Sequence, residues 1–293
     1  MEKHIALALL HTLSTSEKVH LASMCHDGEE VFRYMGLEGN LRTKLMKSKD
    51  FCLKWLEQPS NHITRLGDEG YPPLLKEIDN PPYLMAFHGS PSCCGSTITI
   101  VGSGMPSREV RAGIHLLVGE CAESDIAVVS GLSCNLQRCV LESVVACKGR
   151  AVVVSGGESL CDSTDRGPLV EKIIDLGGAV VGEFPPIHPR RSWHIPLWTR
   201  IPAGWSPVTV VGASPLHSEA MMVADFALDQ GRDVVVFGGG ALGPVGTGGS
   251  SLVQDGAPLV HSLQDISGHS KIGCPQGDCR CASEEPCSYI PGL

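Results

Sequence analysis

The stretch from residue 96 to 107 joins an apolar strand pattern to a turn that can bind an anion. The β-branched run over 96–101 ends in Gly102 and Ser103, and Ser107 is placed to cap a following helix. Backbone N–H groups of such a turn, together with the helix dipole, attract phosphate. The turn lacks the GxGxxG spacing of a dinucleotide site. We therefore predict an anion-binding turn over 102–107, with a plain strand-to-helix turn as the alternative.

A second candidate anion site is the loop after the fourth predicted strand. Its basic residues are His188, Arg190, Arg191, His194 and Arg200, and its tryptophans are Trp193, Trp198 and Trp205. Basic side chains interleaved with aromatic ones are typical of single-stranded nucleic-acid platforms, where stacking contributes about 1–3 kcal/mol per base. The alternative is a structural loop that packs its tryptophans into the core.

The sequence has no recognisable catalytic constellation. A GxSxG elbow, a Walker A lysine and an HExxH helix are all missing. The C-terminal cysteines at 274, 279, 281 and 287 lack CxxC spacing, so a flexible reduced tail is favoured over a zinc site. We expect no catalytic residues, no metal and no cofactor.

Composition restricts the location and the kind of partner. The 293 residues carry a net charge of −9, so nucleic-acid binding would need a local basic patch. No apolar run is long enough for a membrane span, and no signal peptide is recognised. An odd count of 13 cysteines fits free thiols in a reducing compartment. These features predict a cytoplasmic protein without membrane contact.

Apolar strands alternate with amphipathic helices from residue 96 onward. Strands are predicted at 97–103, 126–131, 151–155, 179–183, 208–212 and 233–237, and helices at 107–123, 135–147, 166–176 and 218–230. This alternation predicts an α/β fold: a Rossmann-like, doubly wound, mostly parallel sheet. Ligands of such sheets bind at the carboxyl ends of the strands, near the point where the strand order reverses.

We predict four segments in the chain. Residues 1–60 have helical spacing, 61–95 form a Pro-rich connector, 96–262 form the Rossmann-like domain, and 263–293 form a Cys-bearing tail. Prolines hold the connector in extended or turn conformations, so it should pack against a sheet. A basic cluster in the helical module, Arg42, Lys44, Lys47 and Lys49, is interpreted as a solvated helix face.

Nine segments occur in the order and spacing of one family. They are YPPLLKEIDNPPYLMAFHG at 71–89, VGS at 101–103, SGL at 130–132, GG at 156–157, GEFPP at 182–186, IPLWTRIPAGWS at 195–206, ALDQGRDVVVF at 227–237, GT at 246–247 and LVQDGA at 252–257. With these segments, the chain over roughly 5–260 resembles the DprA/Smf family of DNA-processing proteins.

The resemblance implies a function in DNA uptake and natural transformation. Proteins of that family bind single-stranded DNA without catalysis, help to load the RecA recombinase and form homodimers. The DNA- or anion-binding candidates are Gly102, Ser103, Ser107, Ser130, Gly131, Arg190, Arg191, Arg200 and Ser218. The alternative function is a diverged Rossmann domain that binds a small nucleotide-like ligand, or that acts as a protein-interaction dimer.

The chain departs from the family pattern at several pocket positions. Gly104, Cys134 and Trp198 stand where the family has arginines. Each lost phosphate contact reduces the salt dependence of single-strand binding by about 0.7 in slope. The family's route to phosphate binding is therefore weakened at these positions.

Overall fold

The structure is a computed structural model that describes residues 1–89, 95–156, 167–183, 195–241 and 246–269. The candidates Arg190 and Arg191 and the four tail cysteines lie outside these ranges. Within them, no helix is both long and apolar enough to cross a membrane.

The N-terminal part is helical, as the sequence predicts. It consists of α1 (Glu2–Ala8), α2 (Thr15–Met24), α3 (Gly28–Tyr34) and α4 (Gly39–Trp55). Ser14 and Glu17 form a reciprocal capping box that begins α2. Three of these helices have ten residues or fewer and depend on packing for stability. That packing comes from a buried cluster in which α1 contributes Leu7 and α3 contributes Phe32.

The Pro-rich connector contributes two strands that the sequence analysis did not predict. Strands β1 (Asn61–Arg65) and β2 (Leu84–Gly89) pair antiparallel, and β2 pairs antiparallel with β6. Between them, the hydroxyl of the fully buried Tyr71 donates to the carbonyl of Pro82 at 2.6 Å. The connector therefore extends the sheet at one edge. The boundaries of the four predicted segments stay predictions.

The remaining strands form the parallel part of one nine-stranded sheet. They are β3 (Thr97–Val101), β4 (Ala127–Ser130), β5 (Ala151–Val154), β6 (Ala179–Gly182), β7 (Val208–Val211), β8 (Asp233–Phe237) and β9 (Leu259–Val260). The order is β1-β2-β6-β5-β4-β3-β7-β8-β9. The order reverses between β3 and β7, so the Rossmann-like, mostly parallel sheet is confirmed.

Helices cover the sheet on both faces. They are α5 (Arg108–Glu123), α6 (Asn135–Ala146), α7 (Gly167–Asp175), α8 (Ile195–Trp205), α9 (Glu219–Asp229), α10 (Thr247–Gln254) and α11 (Leu263–His269). The helix α8 contradicts the prediction that Arg200, Trp198 and Trp205 belong to a loop after the fourth predicted strand. Pro202 lies inside this helix.

The helix α8 places two of the tryptophans in the core. Trp198 and Trp205 are buried in the cluster that lies against β5, β6 and the connector. The ring of Trp205 lies 6.3 Å from that of Phe87 on β2, measured between centroids. For these two residues the core-packing alternative is confirmed, and neither ring is presented to a base.

Two glycines of similar backbone conformation differ in the space around them, which gives a matched test of the sheet edge. Gly89 has φ +110°, and a Cβ there would lie 2.5 Å from the carbonyl oxygen of Gly178. Gly67 has φ +99° with no atom within 4 Å of such a Cβ. We expect Gly67→Ala to lower the free energy of unfolding by about 1–3 kcal/mol, from backbone strain alone. Gly89→Ala should cost more than about 4 kcal/mol. Equal losses in denaturant unfolding would contradict the close approach of β2 and β6.

Candidate functional site

A cavity of about 350 Å³ lies at the carboxyl ends of β3 and β4. It is lined by Ser103, Gly104, Met105, Leu132, Ser133, Cys134, Asn135 and Arg138. These residues belong to the turn after β3, the turn after β4 and the first turn of α6. Because α6 begins at the cavity, the positive end of its dipole favours an anion there.

The turn after β3 uses its backbone donors within the protein. The N–H groups of Ser103 and Gly104 donate to the carbonyl of Ala213 at 3.0 and 3.1 Å. The Ser103 hydroxyl accepts from the N–H of Ala220 at 3.2 Å. The expectation that this turn offers free N–H groups to a phosphate is therefore wrong for these two residues. They connect the turn to the loop after β7 and to α9.

The crevice between the two central turns is closed by a side chain. A Cβ on Gly102 would lie 2.6 Å from Leu136 Cδ2, and one on Gly212 would lie 2.9 Å from Leu136 Cδ1. Leu136 is fully buried at this position. The two glycines are required here to admit the leucine, so the predicted role of Gly102 in binding has a structural alternative. The accessible cavity lies to one side, towards β4.

The predicted binding residues Ser130 and Gly131 lie inside the turn after β4. The hydroxyl of Ser130 is fully buried and donates to the carbonyl of Ile100 at 2.8 Å. Gly131 lies beside Gln137, whose Oε1 accepts from the N–H and the hydroxyl of Ser133 at 2.8 and 2.9 Å. The Ser133 hydroxyl also lies 3.1 Å from Glu219 Oε2 on α9. This network fixes the cavity wall, and the binding roles of Ser130 and Gly131 stay predictions.

Two further predicted serines lie directly before helices. Ser107 is exposed and precedes α5, and its hydroxyl accepts from the N–H of Val110 at 3.3 Å. The predicted cap is thus confirmed. Ser218 precedes α9 without a side-chain cap hydrogen bond. Among the described residues its buried hydroxyl has no hydrogen-bond partner, and it does not line the cavity.

Arg200 is held in a buried ion pair. Its Nη1 lies 2.9 Å from Glu183 Oε2, and the two side chains are 7% and 8% exposed. Its Nε donates to the carbonyl of Asn80 at 2.9 Å. Glu183 Oε2 makes no aligned hydrogen bond within the described part of the chain, so the attraction is electrostatic. A phosphate contact by Arg200 stays a prediction, and this geometry gives the residue a structural role.

A third charge lies near this pair. Lys18 on α2 is 3% exposed, and its pKa is lowered mainly by burial, an effect that Glu183 opposes. Nothing in the sequence singles out Lys18, because its burial depends on how α2 packs on the sheet domain.

Arginines at the rim of the cavity were missed by the sequence analysis. Arg138 lines the cavity from the first turn of α6, and its Nε donates to Glu142 at 2.9 Å while its side chain stays 39% exposed. Arg111 on α5 is exposed, with Nη2 3.9 Å from the sulfur of the cavity residue Met105. Arg108 is exposed at the start of the same helix. The signal was available in the i, i+3 spacing of Arg108 and Arg111 directly after the turn.

No metal centre is found at the site. Within the described ranges, no three His, Cys, Asp or Glu side chains come together in a way that could hold a metal ion. The thiol of Cys134 donates to the carbonyl of Gly102 at 2.9 Å, which adds a further contact between the two turns.

Comparison with known sequences gives one consistent result. The sequence model described as DNA recombination-mediator protein A matches residues 62–271. Protein Smf of Escherichia coli K12 is 28% identical over 233 residues, which cover 78% of this chain and 61% of that protein. DNA processing protein DprA of Bacillus subtilis is 28% identical over 213 residues, which cover 72% of this chain and 71% of that protein. The chain thus spans less than two thirds of the length of the Escherichia coli relative.

Solved structures agree in fold. DNA processing protein A from Streptococcus pneumoniae superposes with a TM-score of 0.68 at 21% identity, covering 93% of this chain and 94% of that one. The Helicobacter pylori protein, whose structure is described for its single-stranded DNA binding mode, superposes with a TM-score of 0.60 at 16% identity, covering 70% and 94%. At these identities the likeness establishes the shared fold.

The buried pair of Glu183 and Arg200 gives a stability test of this region. We expect Glu183→Gln to lower the free energy of unfolding by about 3–5 kcal/mol, because it leaves a buried guanidinium without its counter-charge. The control is Glu142→Gln, which breaks the half-exposed pair with Arg138 and should cost at most about 0.5 kcal/mol. Denaturant unfolding measures both. A Glu183→Gln loss no larger than that of the control would show that the pair is not buried.

Proposed function

The chain belongs to the DNA recombination-mediator protein A family, and on that premise we propose that it binds single-stranded DNA in DNA processing. The structural observation that carries this proposal is the cavity after β3 and β4 with Arg111 and Arg138 at its rim. Guanidinium groups bind phosphate through paired hydrogen bonds, and exposed ones can follow a flexible backbone. The cavity lies where parallel α/β sheets bind their ligands.

In this proposal Arg111 and Arg138 supply the positive charge that this chain lacks at positions where the family has arginines. Gly104 and Cys134 line the cavity without charge, where the family has arginines. Arg138 lies four residues after Cys134 in the chain, one helical turn along α6. Arg111 reaches Met105, the neighbour of Gly104, from α5. The proposed phosphate ligands therefore come from the first turns of two helices instead of from the turns themselves.

The finer parts of the proposal rest on the resemblance. They are a role in natural transformation, binding without catalysis in the cytoplasm, formation of a homodimer and transfer of the bound strand to the RecA recombinase. The predicted ligands Arg190, Arg191, Ser107 and Ser218 belong to this proposal as well.

A small nucleotide-like ligand is the second candidate. The cavity volume of about 350 Å³ lies in the range of small-molecule sites. Against it, Leu136 fills the central crevice in which a dinucleotide would lie. A protein-interaction dimer without ligand is the third. Thermal unfolding with mononucleotides and with oligo-dT separates the three. A single-strand-binding protein is stabilised by oligo-dT alone, and a nucleotide-binding protein is stabilised by a mononucleotide. A protein-interaction dimer is stabilised by neither.

The double variant Arg111→Gln/Arg138→Gln tests the assignment of the cavity. We expect the slope of log affinity against log salt for labelled oligo-dT to become shallower by about 1.4, since each phosphate contact contributes about 0.7. Fluorescence anisotropy over a salt series measures this slope. The variant Arg190→Gln/Arg191→Gln tests the predicted loop contact in the same titration.

The matched control is Lys148→Gln/Lys172→Gln, which removes the same charge. Lys148 follows the end of α6 and Lys172 lies in the last turn of α7, so both are far along their helices from the edge that carries the cavity. Both are exposed. An unchanged slope in the cavity variant, or an equal change in the control, would contradict the assignment.

A further inference from the structure

The helix α4 presents a basic and aromatic stripe to solvent. Lys44, Lys47, Phe51 and Lys54 are exposed, and Phe51 is 50% exposed. Their spacing of three, four and three residues places them on one face of the helix. We call these four residues the α4 stripe.

Packing of the opposite face of α4 determines that this stripe faces solvent. Cys52 is fully buried against Ile5 and Leu9 of the first helical segment, and Leu45 and Leu53 pack against the same cluster. Because α4 is held by that face, it cannot rotate to bury Phe51. The exposure of the stripe is therefore a consequence of the fold of the helical module.

The helix that carries the stripe has an excess of positive charge. The helix carries five basic residues and one acidic residue, in a chain whose net charge is −9. The acidic Asp50 lies 3.5 Å from Lys49, and Arg42 pairs with Glu29 at 3.7 Å. In the part of the chain that the structure describes, the three lysines of the α4 stripe make no ion pair. They leave a local excess of positive charge on an acidic protein.

Phe51 distinguishes this stripe from an ordinary solvated face. A single exposed apolar residue is common on a protein surface, but here the half-exposed phenyl ring lies between lysines on the same helix face. An aromatic ring between cations is the composition of a platform for single strands: cations contact phosphates and the ring stacks on a base of any type. Anionic charge and a stackable base occur together in single-stranded nucleic acid.

We propose that the α4 stripe is a second contact for single-stranded DNA, in which the lysines bind phosphates and Phe51 stacks on a base. This inference rests on the proposed function for the class of ligand, and on α4 alone for the site. It replaces the interpretation of Lys44 and Lys47 as a solvated face.

The test uses the full chain and labelled oligo-dT in a salt series. The variant Lys44→Gln/Lys47→Gln/Lys54→Gln should make the salt slope shallower by about 2, because three contacts of about 0.7 are lost. Phe51→Leu, which keeps an apolar side chain without a ring, should weaken binding about tenfold with the slope unchanged. Phe51→Tyr should retain the wild-type affinity.

The control for charge is Lys76→Gln/Lys148→Gln/Lys172→Gln, three exposed lysines outside α4. Circular dichroism and denaturant unfolding confirm that each variant is folded. The inference is overturned if the α4 triple variant and this control change the slope equally, or if Phe51→Leu binds as tightly as wild type.

The outcomes separate this inference from the proposed function. If wild type binds and the cavity variant alone has a shallower slope, the proposed function stands and the α4 contact is wrong. If wild type does not bind oligo-dT even at low salt, the proposed function fails and the α4 contact fails with it. Photo-crosslinking of 5-iododeoxyuridine oligonucleotides to Phe51 is expected under the proposal, and its absence from a crosslinked complex counts against it.

Discussion

The site depends on backbone hydrogen bonds between the turns that follow β3 and β7, where the strand order reverses. The N–H of Gly212 donates to the carbonyl of Val101 at 2.8 Å, and the carbonyl of Ala213 accepts from Ser103 and Gly104. These bonds join the turns after β3 and β7, and Leu136 fills the space between them. Because the N–H groups of Ser103 and Gly104 are already bonded within the protein, they are not free to bind a ligand. In the proposed function the arginines of α5 and α6 therefore add to the α6 dipole the positive charge that these two N–H groups do not provide.

Much of the fold follows from the sequence, because fully buried parallel strands are continuous β-branched runs. The valines of β5 and β7 show this, and all six predicted strands are present. The helix α8 was predicted as a loop, and it is stabilised by packing of Trp198 and Trp205 although Pro202 lies inside it. The strands β1 and β2 were missed because β2 joins the sheet by pairing with β6, which lies far along the chain, and β1 then pairs with β2.

The site was predicted less completely than the fold. The sequence locates the turns at the carboxyl ends of the strands, and the cavity does lie there. It does not show which N–H groups are already bonded, because Ala213 is more than a hundred residues from Ser103 in the chain. Nor does it show that Arg200 is buried against Glu183. Burial and long-range pairing decide whether a basic residue is a ligand or a structural cation, and both are properties of the folded chain.

Hydrogen–deuterium exchange with and without saturating oligo-dT tests the central claim most directly, that a single strand occupies the cavity after β3 and β4. The account predicts slower exchange of amides in 105–111 and 133–138 on binding, because phosphates at Arg111 and Arg138 shield the first turns of α5 and α6. Amides in the last turn of α7, away from the edge of the sheet that carries the cavity, should exchange at unchanged rates. Binding with no protection in those two segments would contradict the account.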